Sequence, residues 1–321
     1  MRFRVEHDAL GEKKVPAEAY YGIQTLRSKE NFQITKRGLS RQMIKALATV
    51  KKAAAKANFE TGLLSKDICD AICLSCDEIL NGRLHGQFVT DAIQGGAGTS
   101  MNMNANEVIA NRANEMLGGK KGDYSFVHPI NHVNRGQSTN DVIPTASKIT
   151  MIRLTKKLLV EMKKLSNSYI DRATDLQSTY KMGRTHLQDA LPMTFAQQLL
   201  AYQGNLDRDM KRIDQAMQGL LEINMGATAI GSGVNANKQY ITRVVKNLQV
   251  LTGEAFYNSK NLFDTTRNLD AFLWLSSSIK TAAMNLSKTA HDFILMASGP
   301  EYGLKEIILP QVQPGSSIMP G

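Results

Sequence analysis

Apolar residues recur at steps of three and four through most of the chain, a period that predicts helices packed against one another as a bundle. The first run follows Ser40, with Met43, Leu47, Val50 and Ala54; a second is capped by Ser65 and stopped by Asn81-Gly82. A third helix is expected from about Met101 to Leu117. The longest runs come next. Leu158, Met162, Leu165, Tyr169, Ala173, Leu176 and Tyr180 predict one helix from Ser147 to Tyr180, and Phe195, Leu199, Tyr202, Leu206, Met210, Ile213, Met217 and Leu220 predict another from Thr194 to Asn224. Val244, Leu248 and Leu251 run up to Gly253, and Phe272, Leu275, Ile279, Leu286 and Phe293 mark the last. Residues 1 to 38, broken by Gly11, Pro16 and Gly22, show no long helical period and read as extended and turn-rich. The expected fold is all-α, with a mixed N-terminal helical domain over 1–140 and an elongated central helical bundle over 141–321. Apolar seams of this length exceed what one subunit covers, so a homo-oligomer is expected.

Composition narrows the partners. With 42% hydrophobic and 21% charged residues in 321, the chain has the balance of an ordinary globular protein. No run of about 18 apolar residues occurs, and the opening Met1-Arg2-Phe3-Arg4-Val5-Glu6-His7-Asp8 is too charged for a signal peptide. A cytoplasmic protein with no membrane partner is expected. The net charge of +10 raises nucleic acid as a partner, but pairs such as Lys156-Lys157 and Lys163-Lys164 are scattered over helices without an aromatic-studded basic face. Nucleic acid is therefore not expected, and the positive field suits small dianions instead. Cys69, Cys73 and Cys76 share one predicted helix with Ile68, Ile72 and Ile79, and only His85 is near. That spacing fits small apolar packing residues better than a metal site.

Five polar stretches interrupt the helices. Gly95-Gly96-Ala97-Gly98-Thr99-Ser100 precedes a helix whose free amides and dipole favour an anion, and it lacks the Gly-Lys-Ser/Thr ending of a nucleotide loop. Ser138-Thr139-Asn140 places three capping-type side chains ahead of another helix, more than one cap needs, with Pro144 tolerated in its first turn. Arg184, Thr185, His186 and Gln188 crowd a short connection. The loop from Asn224 to Asn235 mixes glycines with hydroxyls, and Gly315-Ser316-Ser317-Ile318-Met319-Pro320-Gly321 sets two serines between glycines.

Taken together these stretches resemble the fumarase/aspartase superfamily over essentially the whole chain. The final segment is similar to its specific signature Gly-Ser-Ser-x-Met-Pro-x-Lys-x-Asn. Tyr20-Tyr21-Gly22-Ile23-Gln24-Thr25-Leu26-Arg27, Gln137-Ser138-Thr139-Asn140-Asp141 and the loop from Glu222 to Gly231 resemble the aspartase branch more than class II fumarases. The resemblance implies an all-helical subunit in three domains and a homotetramer whose active sites each draw on three subunits. It implies loss of ammonia from L-aspartate to give fumarate through an enediolate, with no metal or organic cofactor in the reaction itself. Fumarate hydration is the alternative within the superfamily, and a non-catalytic helical scaffold is the alternative outside catalysis.

The resemblance also implies roles. Ser316 would take the proton; Thr99, Ser138, Thr139 and Ser317 would hold the side-chain carboxylate as it becomes an enediolate. Thr185 would contact the other carboxylate, and Asn140 and His186, with Thr99, would hold the departing amino group. His128 and Asn131 resemble a second anion site of the fumarase branch. The signature's Lys and Asn would follow Gly321, and the rest of the bundle and a small third domain would follow those. The expectation from the sequence is therefore a truncated chain, inactive or impaired beside a full-length form.

Overall fold

The structure is a computed structural model that describes residues 2–299 and 301–318. Its backbone is dominated by helices, so the all-α expectation holds, with three small two-stranded sheets added. The chain divides into two compact units. One comprises the residues up to Leu154 together with Gly219–Asp270, the other Thr155–Gln218 with the residues from Ala271 onward.

The first unit opens with an antiparallel hairpin of β1 (Phe3–Asp8) and β2 (Gly11–Pro16), followed by the nine-residue helix α1 (Ile23–Asn31). This is the segment whose sequence lacks a long helical period. Helix α2 (Arg41–Glu60) is its core: Ala46, Leu47, Val50, Ala53, Ala54 and Ala57 are fully buried. The alanines matter because small side chains let α3 (Lys66–Leu80) and α7 (Lys238–Thr252) both pack closely on it. Ser65 accepts the amide of Ile68, as its expected cap requires, and Ser40 caps α2 in the same way by accepting the amide of Met43. Cys69 and Cys76 are buried on α3, in the packing role expected of them.

Helix α4 (Thr99–Met116) is unusual in burying several amides beside its apolar residues Ala105, Val108, Ile109, Ala110 and Ala113. Asn104 bonds the backbone of Gln87 and Val89, Asn111 that of Tyr20 and Gly122, and Asn114 that of Phe126 and Val127. Glu107 on the same helix accepts the amides of Gly22, Gln24 and Thr25 at the start of α1. Loops that carry few apolar side chains are thus fixed by satisfying their backbone groups, each of which would be costly to bury unpaired.

Helix α5 runs Thr139–Asp175, starting earlier and ending sooner than the apolar period suggested. Its first part belongs to the first unit, with β5 (Glu222–Ile223), α7, β6 (Tyr257–Asn258) and α8 (Leu262–Arg267). The second unit holds the rest of α5, a hairpin of β3 (Tyr180–Thr185) and β4 (Gln188–Thr194), α6 (Phe195–Gln218), α9 (Asp270–Met296, from Ala271) and the segment beyond. The hairpin replaces the ends of two predicted helices and the connection between them. Its Lys181, Gly183 and Thr185 alternate with Met182 and Arg184 without a helical stripe, so pairing with β4 satisfies this backbone where helix packing could not.

Candidate active site

Three segments of the first unit meet at the N-terminus of α5. A Cβ on Gly98, whose φ is +86°, would stand 3.0 Å from Ile143 of α5, so the glycine loop before α4 lies directly on the next helix. Ser138 and Asp141 cap α5 reciprocally: the Ser138 hydroxyl accepts the Asn140 amide at 3.2 Å, and Asp141 Oδ1 accepts the Ser138 amide at 2.9 Å. The second oxygen, Asp141 Oδ2, accepts the amides of Gly226 and Thr228 at 3.1 Å each, fastening the third segment.

Pro144 contributes by what it lacks. As the sixth residue of α5 it lies a turn deeper than the sequence reading placed it, and it offers no amide to the Asn140 carbonyl. That carbonyl accepts instead from the buried side chain of Asn224 at 3.0 Å, and Asn140 Nδ2 donates to the Ala229 carbonyl at 2.8 Å. The loop from Asn224 to Ala229 is therefore attached to the helix start by side-chain bonds in both directions.

Polar groups lie beneath the cradle. Lys51 on α2 is fully buried and donates to Asn134 Oδ1 at 2.8 Å and Gln137 Oε1 at 3.0 Å. Burial lowers its pKa to about 7, with Asp141 opposing the shift, while burial raises Asp141 to about 7 against its amide bonds and Lys51. Asn102 Nδ2 reaches both Asn134 Oδ1 (3.3 Å) and Thr139 Oγ1 (3.4 Å).

These bonds leave a definite chemical face. Ser138 Oγ and Thr139 Oγ1 accept from the protein, so each hydroxyl hydrogen is available to an anion. Asn140 commits one N–H to the Ala229 carbonyl and keeps its oxygen as an acceptor. With the positive ends of α4 and α5 nearby, the cradle can hold a carboxylate and, at Asn140, an amino group.

The remaining candidates lie in the second unit. Thr185 and His186 are exposed at the tip of the β3–β4 hairpin, where His186 (φ 50°) and Leu187 (φ 63°) form its two-residue turn. Ser316 and Ser317 are exposed in the segment after α9, with Ser316 Oγ accepting the Ile318 amide at 3.3 Å. Met319, Pro320 and Gly321 of the signature lie outside the described residues. Glu306 ties this segment to β3 through Lys181 (2.8 Å) and Arg184. Burial pushes the Glu306 pKa up, but the two cations outweigh it and hold the carboxyl low. The structure thus gathers Thr99, Ser138, Thr139 and Asn140 in one unit and carries Thr185, His186, Ser316 and Ser317 in the other. His128 Nδ1 is occupied as a cap, accepting the amides of Ile130 and Asn131.

A family model described as lyase matches residues 11–321. The chain belongs to this lyase family. The lyase is 54% identical to the aspartate ammonia-lyase of Bacillus subtilis over 99% of its own length and 67% of that protein's. Among solved structures, a fumarate lyase:delta crystallin from Brucella melitensis, bound to cobalt, matches with a TM-score of 0.97 and 43% identity, covering 100% of the lyase and 70% of that chain. A class II fumarase from Schistosoma mansoni matches at 0.96 and 36%, over 100% and 71%. Superfamily membership is thus shown. Lys51, Asp141 and Asn224 escaped the sequence reading, although Ser138-x-x-Asp141 is a legible capping box and Lys51 falls beside Leu47 and Val50 on the apolar phase of α2.

Proposed function

We propose that the chain carries catalytic machinery for eliminating ammonia from L-aspartate to give fumarate, as a carbon-nitrogen lyase. The observation that carries this reading is the pairing, at one helix start, of hydroxyl donors on Ser138 and Thr139 with an acceptor oxygen on Asn140. A carboxylate that must become a dianionic enediolate needs the donors; an ammonium group leaving beside it needs the acceptor.

In this reading Ser316 takes the proton from the carbon next to the side-chain carboxylate, and the bonding pair passes into that carboxylate. Thr99, Ser138, Thr139 and Ser317 stabilise the charge. The pair then returns to form the double bond as the carbon–nitrogen bond breaks and ammonia departs past Asn140 and His186, while Thr185 holds the other carboxylate. A serine is a weak base, so closure of its glycine-bounded loop over substrate is part of the proposal. We further propose a cytoplasmic homotetramer in which each site takes the cradle of one subunit, the hairpin of a second and the serine segment of a third. The exposed Leu273, Trp274, Met284 and Ile294 of α9 support association.

The experiment is direct. Fumarate is incubated with ammonium and, separately, without it, and aspartate and malate are quantified. Aspartate formed only with ammonium supports the reading; malate as the sole product assigns the chain to hydration and overturns it. Ser316→Ala should then lose exchange of the substrate's β proton with solvent while keeping its affinity.

A further inference from the structure

A hollow of about 280 Å³ lies beside the C-terminal end of α1, apart from the cradle residues, and Lys29, Lys36, Arg37, Thr90 and Asp91 line it with Phe32. Among the described residues none of the three cationic side chains has a hydrogen-bond or ion-pair partner, although other lysines and arginines of this unit, such as Arg4, Arg27, Lys52 and Arg112, do. Thr90 is fully buried and its hydroxyl finds no partner. With no accessible surface it is closed to a ligand as well, so what the hollow offers from outside is the exposed side chains of Lys29, Lys36 and Arg37.

Asp91 is the one carboxylate at the hollow, and its oxygens are already held by the protein. It accepts the amides of Thr35 and Lys36 at 2.8 Å, the Ile93 amide at 2.9 Å and the Thr35 hydroxyl at 2.6 Å. The Thr35 hydroxyl and then these amides hold its pKa near about 2 despite burial. Three unpaired cations therefore share the hollow with one ionised carboxylate, which leaves its lining net positive.

We propose that this hollow is a binding site for a small phosphate-bearing anion, separate from the catalytic cradle. A phosphate offers three or more acceptor oxygens in a tetrahedral spread, enough for three cations together; a single carboxylate offers two in a plane. The site also touches the glycine loop. The tip of the Phe32 ring packs against Gly95, where any Cβ would overlap it, and Gly95 stands four residues before Thr99. An anion that orders Lys36, Arg37 and Phe32 thereby acts on the loop that positions Thr99.

The test is calorimetric titration of inorganic phosphate, with succinate in a parallel arm. The native chain should bind phosphate saturably. Lys36→Glu/Arg37→Glu, at two exposed positions, should weaken binding by at least about tenfold. Lys29→Glu, at a third exposed lining position, should weaken binding on its own while leaving the melting temperature unchanged. Absence of saturable binding, affinity unchanged in these variants, or succinate bound more tightly than phosphate would each overturn the proposal. The coupling to Thr99 rests on the lyase reading: phosphate should change KM for aspartate, and Phe32→Leu should abolish that change while binding persists. The binding arms stand even if the chain proves to act on another substrate.

Discussion

Asp141→Asn isolates the carboxylate that fastens the cradle. Asp141 gives Oδ1 to the Ser138 amide and Oδ2 to the amides of Gly226 and Thr228. Asparagine has a single carbonyl oxygen, and its least costly orientation keeps that oxygen on the Gly226 and Thr228 pair. Its NH2 then faces the Ser138 N–H. The lost bond to a charged acceptor costs about 1.5–3 kcal/mol, and relief from burying a carboxylate offsets part of it. A net loss of about 2 kcal/mol leaves a chain of ordinary stability, about 5–15 kcal/mol, still folded and therefore interpretable. Function should suffer far more. With its amide released, Ser138 no longer caps α5 in one geometry, and displacement of a positioning group by about 1 Å can cost about 100-fold in rate. Steady-state rates followed by fumarate formation should show kcat/KM reduced about 100-fold, mainly in kcat, beside a small shift in the urea midpoint. A variant within about threefold of native kcat/KM, with the same small stability loss, refutes the idea that Asp141 positions the site and leaves it a packing group only.

Two further outcomes follow from the same geometry. Burial raises Asp141 and Glu107 to about 7, so the folded chain holds protons that the unfolded chain has released above about pH 4. Their contribution to stability is fully present below the unfolded values and is lost as pH rises towards 7, at up to about 1.4 kcal/mol per pH unit for each group. Unfolding curves of native and Asp141→Asn chains between pH 5 and 7 should therefore converge as pH rises; parallel curves contradict the assignment. At the hairpin tip, Leu187 holds a left-handed φ of 63° that glycine adopts freely. Leu187→Gly should stabilise the folded chain by about 0.5–1 kcal/mol in thermal unfolding, and destabilisation would show that the leucine side chain outweighs its backbone strain.

What the sequence revealed and what it hid divide along a physical line. Apolar periodicity located the long helices because their stability comes from buried stripes, and the serine cap at Ser65 appeared where the pattern set it. The β3–β4 hairpin was missed because its turn is His186-Leu187, with neither the glycine nor the asparagine that signals such turns, and because its strands carry no apolar alternation. The role of α4 was hidden for a related reason. Its buried asparagines look like a solvated face in sequence, and only the loops they bind, far off along the chain, show that Asn104, Asn111 and Asn114 point inward.

The candidate site itself was legible as residue types but not as a mechanism of assembly. Ser138, Thr139 and Asn140 announced an anion cradle by exceeding what one cap requires. Their alignment, however, depends on Pro144, which frees the Asn140 carbonyl for Asn224, and on Asp141, which no binding argument would single out because it faces away from any ligand. A site of hydroxyl groups is only as selective as the bonds that fix which lone pairs are used. Here each cradle side chain spends one hydrogen-bonding function on the protein and keeps the complementary one, so Ser138 and Thr139 remain donors and Asn140 remains an acceptor. Asn140→Asp keeps an acceptor at this position but adds a negative charge beside the carboxylate pocket and takes away the bond to Ala229. Fumarate affinity should fall more steeply than stability; equal losses in both would mean that the cradle's polarity is set elsewhere.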